Sequence, residues 1–510
     1  MLFRRLLYVL IGGIWLFACD PLPATPFPSL SPTLTATPFL PASPPPLLTV
    51  WSVQPTLPPT LTPSPTASAT PFPTLSPSPT PSPPASSASP MLARPHYRLY
   101  ARLDYEAHHL EVEGTIEYPN LTGTSLSSLV LAVEPNRWPG CFSLQSLTAA
   151  DTPLEFTLEG HRLEVHLPHP LPPQKTLLLD LRYNLDLPPK RMADAFGYNS
   201  WQQNYVHWYP FIVPYRDGWL LHDPWHFGEH LAYDVADFDV YLHVPEGITI
   251  AAPALPVNEA GWQHYTLSGA RTFTFSAGHL YQVDELKMGT IPIRSYFLAT
   301  EQAAGQHITL QAVRFLTLYT AHLTPYPYPV LSIVESEASD GAEFDGLVFL
   351  ARRFYQEFRG GTRNNLTAIG IHEIAHQWWF GLVGNDQALE PWLDEALTLY
   401  SEALFYEWAE NAAKWWWDFR VNYFEPQGFI NISIYDGGNF RSYTNAVYLR
   451  GGQFLQALRE RSGDEAFFAF LRDYAQQMQG KIATRQDFFR ILSQHTSQNL
   501  DDLIGEYFYP

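Results

Sequence analysis

In the run HEIAHQWWFGLVGNDQALEPWLDEALTLY, which begins at His372, two histidines lie four positions apart and a glutamate follows the first. On a helix, His372 and His376 are one turn apart and project from the same face, so both imidazoles can converge on one metal ion with Glu373 beside it. Zinc suits such nitrogen donors. When it does chemistry it takes three protein ligands and leaves a place for water, whereas structural zinc usually takes four. The third ligand is expected to be a carboxylate on a second helix packed against the first, and Glu395 fits that position. A lone HExxH arises by chance in on the order of one chain in a hundred, so the companion glutamate carries much of the weight.

Those residues need two helices held face to face. Leu393, Ala396, Leu397, Tyr400 and Leu404 give the second helix an apolar face, and Pro391 suits its first turn. Ahead of them the periodicity predicts a helix over about 302–323 and a strand over 330–335, with mostly helical patterning after the motif. The preceding region alternates with period two: Tyr97, Leu99, Ala101, Leu103 and Tyr105; then Leu110, Val112, Ile116 and Tyr118; later Phe238, Val240, Leu242 and Val244. The expected architecture is therefore α+β and multidomain, with an antiparallel β domain over 92–284 and a mainly helical catalytic domain over 285–510. Residues 201–230 are crowded with aromatics and hold His207, His222, His226 and His230. Pro224 makes a helix presenting both His222 and His226 doubtful, so this stretch reads as an aromatic loop near the domain interface rather than a second metal site.

With HExxH, eighteen residues and then Glu, the chain resembles the gluzincin family of aminopeptidase N and leukotriene hydrolase over most of residues 95–510. The resemblance implies a β-rich amino-terminal domain followed by a thermolysin-like domain, one zinc ion per chain on His372, His376 and Glu395, and Glu373 as general base. It also implies an aminopeptidase acting on peptide substrates. The family's Gly-x-Met-Glu-Asn segment corresponds to Asp340, Gly341, Ala342, Glu343 and Phe344, where Glu343 is expected to bind the substrate's free α-amine. A carboxylate there pairs with an ammonium and selects chain ends. The Tyr-x-Lys-Gly element corresponds to the run from Tyr448 with Arg450 in place of lysine, and Tyr448 is expected to stabilise developing negative charge, with Tyr443 as its rival. Asp394 and Ala396 depart from the family's Asn-Glu-Gly, and Asp394 is expected to act behind the ligands or as a helix cap. The large carboxy-terminal helical domain of animal members is absent from this sequence, which implies a more open cleft. Two other readings use the same residues differently: an endopeptidase in which Glu343 anchors no amine, and a zinc-bearing surface-binding protein without activity.

The amino-terminal MLFRRLLYVLIGGIWLFACD has two arginines, an apolar run and then Cys19, the order of regions in a signal peptide. Its end resembles a bacterial lipoprotein signal, so residues 1–19 are expected to direct export and Cys19 to carry lipid. Residues 20–91 are rich in Pro, Thr and Ser and cannot build a core; they read as a disordered tether reaching up to about 200 Å. The expected location is outside the cytoplasm, held at the outer face of the cell membrane. A formal charge of -20 argues against nucleic acid as a partner. Past the signal, Cys141 is the only thiol and is expected to be structural.

Overall fold

Strict alternation of apolar and polar side chains shapes the first half of the protein, whose computed structural model describes residues 94–190 and 195–510. Cys19 and residues 20–91 lie outside the described residues. The strand His96–Asp104 buries every second residue and pairs antiparallel with His109–Pro119, which in turn pairs with Thr176–Asp186. All three belong to an eight-stranded sheet. Leu99, Ala101, Leu110, Val112 and Leu181 all point into one core, as the period-two spacing requires. The region is not wholly antiparallel: His96–Asp104 runs parallel to Ala236–His243, opposite Leu99 by Val240. A long connection brings those two strands together, and residue patterning carries no sign of strand direction. Two smaller four-stranded sheets complete this half, one of them built on Leu126–Ala132 and Arg162–Leu171. Cys141 is buried and free, and burial pushes its thiol up to about 12, which makes it unreactive.

The expected boundary at 284/285 falls inside a strand. Tyr281–Met288 pairs along its length with Ile291–Leu298 and opens a five-stranded sheet that continues through Leu331–Ser336 and Leu347–Ala351 to the edge strand Ala342–Phe344. The change of sheet therefore comes at residues 279–280. Alternation reads the same in the last strand of one sheet and the first of the next, so only the hairpin pairing reveals it. The helix Gln302–His322 packs Ile308, Ala312, Phe315 and Tyr319 inward. Asn365–Ala375 and Trp392–Trp408 follow, then Gly451–Ser462, Asp464–Met478, Arg485–Leu492 and Asp501–Tyr507. Both halves, over the described residues, belong to one compact unit that runs to Pro510. A clamp between them is Arg271, which donates to the carbonyls of Phe380 at 2.7 Å, Gly381 at 3.0 Å, Tyr233 at 2.6 Å and Lys481 at 2.8 Å. Among the described residues no helix is long and apolar enough to cross a membrane.

Candidate active site

The helix Asn365–Ala375 starts at Asn364, whose side chain accepts from the Thr367 amide and so satisfies one of the free donors of the first turn. It ends at His376, so the two histidines sit on its last turn. There the chain leaves α geometry through a wide turn over Gln377–Leu382, the kind of irregularity common at functional sites. Glu395 lies on the first turn of Trp392–Trp408, whose start is fixed by Pro391: the Pro391 carbonyl accepts from the amides of Asp394 and Glu395. Glu395 Oε2 stands 3.3 Å from His372 Nε2 and 3.8 Å from His376 Nε2. All three side chains are buried, with their ligating atoms within 4.8 Å of one another.

Behind these atoms is a buried scaffold. His372 Nδ1 is 2.8 Å from Glu402 Oε1, and Glu402 also accepts from Trp416 Nε1 at 3.0 Å and Arg420 Nε at 3.0 Å. His376 Nδ1 is 2.7 Å from Asp394 Oδ1, and Asp394 Oδ2 accepts from Gln387 at 3.2 Å. Donation from each Nδ1 to its carboxylate leaves Nε2, the nitrogen nearer Glu395, as the one to ligate a metal. Burial works against a charged Glu402, yet Arg420 and His372 hold its carboxyl below the usual range. Two nitrogens and one carboxylate oxygen at these separations fit a zinc ion with a free coordination position.

A cavity of about 270 Å³ opens onto this group. Glu373 faces it, and so does Glu343 on the edge strand; both carboxylates and His376 bring their ligating atoms within 4.8 Å of one another. Glu229, from the β-rich half, lines the same cavity. Burial raises all three carboxyls. For Glu229 the neighbouring Glu395 and Asp394 add to it, reaching about 7, while His376 opposes; Glu229 and Glu373 add to the rise at Glu343. Tyr448 also lines the cavity, where burial and the neighbouring Glu395 carboxylate hold its hydroxyl well above the usual tyrosine range. Its rival Tyr443 is fully buried against Phe227 with its hydroxyl unpartnered. Asp394, expected behind the ligands or at a cap, holds His376.

Sequence reading missed Glu229, Glu402, Gln387 and Arg420. Glu402 was within reach, since it lies two turns after Glu395 on one helix face. No periodicity marks Glu229, which sits in the aromatic-rich stretch. The four histidines of that stretch do not gather: His222 pairs with Asp386 at 2.9 Å, His207 with the Tyr233 hydroxyl at 2.7 Å, His226 is exposed, and His230 meets Glu134.

Residues 311–507 match the Peptidase family M1 domain. Among characterised proteins, the chain is 26% identical to Aminopeptidase M1-B of Oryza sativa subsp. japonica over 42% of its own length and 26% of that protein's. It is 21% identical to Aminopeptidase M1 of Arabidopsis thaliana over 53% of its length and 34% of that protein's. The matched stretch thus spans about a quarter to a third of these relatives. Over 81% of the chain the fold is similar to 94% of an M1 zinc metallopeptidase mutant of Deinococcus radiodurans solved with a Tyr-Ser-Ala substrate, with a TM-score of 0.61 at 20% identity. The segment that matches the peptidase family M1 domain, 311–507, is the one that carries the His372, His376 and Glu395 group.

Proposed function

We infer that the protein is a zinc-dependent aminopeptidase that removes residues from the amino termini of peptides. One observation carries this reading: Glu229, Glu343 and Glu373 crowd one small cavity beside the His372, His376 and Glu395 group. Three carboxylates gathered in one cavity, with Glu373 buried and Glu229 and Glu343 half-buried, repel one another and raise each other's proton affinity, so the cavity favours a cation. A free α-ammonium supplies it, and a blocked or internal peptide nitrogen does not.

In this reading His372, His376 and Glu395 hold the zinc, which when bound supplies Lewis-acid polarisation of the peptide carbonyl and acidifies a water. Glu402 and Asp394 keep both imidazoles in the ligating tautomer. Glu373 takes the proton of the attacking water on a carboxylate oxygen and hands it to the leaving nitrogen. Tyr448 donates its hydroxyl hydrogen to the carbonyl oxygen as charge develops there. Glu343 and Glu229 accept from the ammonium and thereby set which bond reaches Glu373.

The experiment is hydrolysis of matched free-amine and amino-blocked fluorogenic peptides by the full chain, with chelator and zinc add-back. Zinc-restored cleavage of the free-amine substrates alone is expected. Equal cleavage of blocked peptides makes the enzyme an endopeptidase, and no cleavage by folded, zinc-loaded protein makes it a binding protein.

From the order of residues 1–19 we further propose export and lipid attachment at Cys19, with 20–91 holding the enzyme off the membrane. Radiolabelled fatty acid is expected to enter the wild type in a bacterial host and not the Cys19→Ala variant; an unlabelled wild type ends the proposal.

A further inference from the structure

Outside the active site, a second buried group combines two imidazoles with a carboxylate. Glu134 opens the short helix Glu134–Arg137 after the strand Leu126–Ala132. His161 sits in the turn between Glu155–Glu159 and Arg162–Leu171, where its carbonyl accepts from the Val133 amide at 2.7 Å. His230 comes from the loop that directly follows Glu229. All three are buried, at 4%, 7% and 8% exposure, with their ligating atoms within 4.8 Å of one another.

The contacts in this group are longer than in most histidine–carboxylate pairs of the protein. Glu134 Oε1 is 3.3 Å from both His161 Nδ1 and His230 Nε2. Histidine–carboxylate pairs elsewhere close further: His109–Asp186 to 2.7 Å, and His222–Asp386 and His495–Asp473 to 2.9 Å. Away from Glu395, the exception among the described residues is exposed His264–Glu259, also at 3.3 Å, where His264 already holds Asp239 at 2.8 Å. Ligands about 2.0–2.1 Å from a tetrahedral zinc lie about 3.3–3.4 Å apart, and the same 3.3 Å separates His372 Nε2 from Glu395. His161 Nδ1 and His230 Nε2 approach the same oxygen of Glu134 from two separate loops. Arg137 Nη1 holds the other oxygen of Glu134 at 2.8 Å and fixes the carboxylate.

We propose that Glu134, His161 and His230 bind a second divalent transition-metal ion of the zinc class, through Glu134 Oε1, His161 Nδ1 and His230 Nε2. It is additional to the zinc of the active site and independent of the aminopeptidase reading. The donor set is one that zinc accepts. Three protein donors leave one position for water. Because His230 follows Glu229, the ion ties the loop carrying an active-site carboxylate to the sheet of Leu126–Ala132 and Arg162–Leu171 and acts as a structural clamp.

Zinc per chain is measured by mass spectrometry on the full protein, zinc-loaded and desalted. Wild type is expected to hold two ions, the His376→Ala variant one, and the His376→Ala, His161→Ala double variant none. One ion in wild type and none in His376→Ala overturns the proposal. One ion in both keeps this site and removes the zinc from the active-site reading instead. Cobalt(II) titration of folded His376→Ala guards against a misfolded double variant: a visible band saturating at one equivalent is expected, and no band overturns the site.

Discussion

Both imidazoles of the active-site group donate through Nδ1 to buried carboxylates, His372 to Glu402 and His376 to Asp394. Such outer partners set ring orientation and basicity, and their loss costs about 10–100-fold in metal affinity. Asp394→Ala and Glu402→Ala are each expected to weaken zinc by that factor in competition with a chelator. Asp394→Asn, which keeps an acceptor, is expected to lose less; an Asn variant as weak as the Ala variant refutes this orientation argument. Glu373 touches neither Glu402 nor Asp394 and stands beside the ligands rather than among them. Glu373→Gln is therefore expected to retain one active-site zinc by metal analysis while hydrolysis falls about 10²–10⁴-fold. Retained activity would remove Glu373 as the base.

At the scale of elements, the approach of the edge-strand segment to the metal helix is set by a missing side chain. A Cβ at Gly341 would lie 2.0 Å from Glu373 Oε1. Alanine there has to push the Glu373 carboxylate aside, and misplacement by about 1 Å can cost roughly 10²-fold. Gly341→Ala is expected to lower kcat by that order with zinc content and melting temperature unchanged; unaltered kcat shows that the contact is not built into catalysis. Further along the same sheet, Leu331–Ser336 buries Glu335, whose carboxyl accepts from the Leu298 amide at 2.8 Å. Burial, with help from Glu301 and against that amide, raises it to about 8 from 4.5. A raised acid binds its proton more tightly in the folded state, so its stabilising effect is complete below about pH 4.5 and is lost as pH rises toward 8. The Glu335→Gln variant should gain melting temperature over wild type as pH goes from 5 to 8.5. A constant difference across that window counts against the assignment. The elements themselves were mostly readable from sequence: the helix predicted over 302–323 is Gln302–His322, and the strand predicted over 330–335 is Leu331–Ser336. Both carry a local apolar period that survives without knowledge of their neighbours.

For the molecule as a whole, Arg271 is buried between the two halves and satisfies backbone carbonyls from both. Removing a buried charge from its acceptors costs about 3–5 kcal/mol. Arg271→Ala is expected to lose that much in denaturant unfolding; a loss under about 1 kcal/mol would mean the halves are held by apolar packing alone. No residue pattern announced Arg271, the parallel pairing of His96–Asp104 with Ala236–His243, or the sheet change at 279–280. What the sequence determined by itself was short-range: HExxH spacing puts His372 and His376 on one helical face, eighteen intervening residues bring Glu395 onto the next helix, and alternation marks the strands. Tertiary structure decided which distant groups meet. Glu229 reaches the zinc cavity from the other half of the chain, and His230, beside it, leaves its neighbouring histidines to join Glu134 and His161. The reason is physical: periodicity records which face of an element is buried, while contacts between elements far apart in the chain depend on packing and crossing geometry that no local pattern encodes.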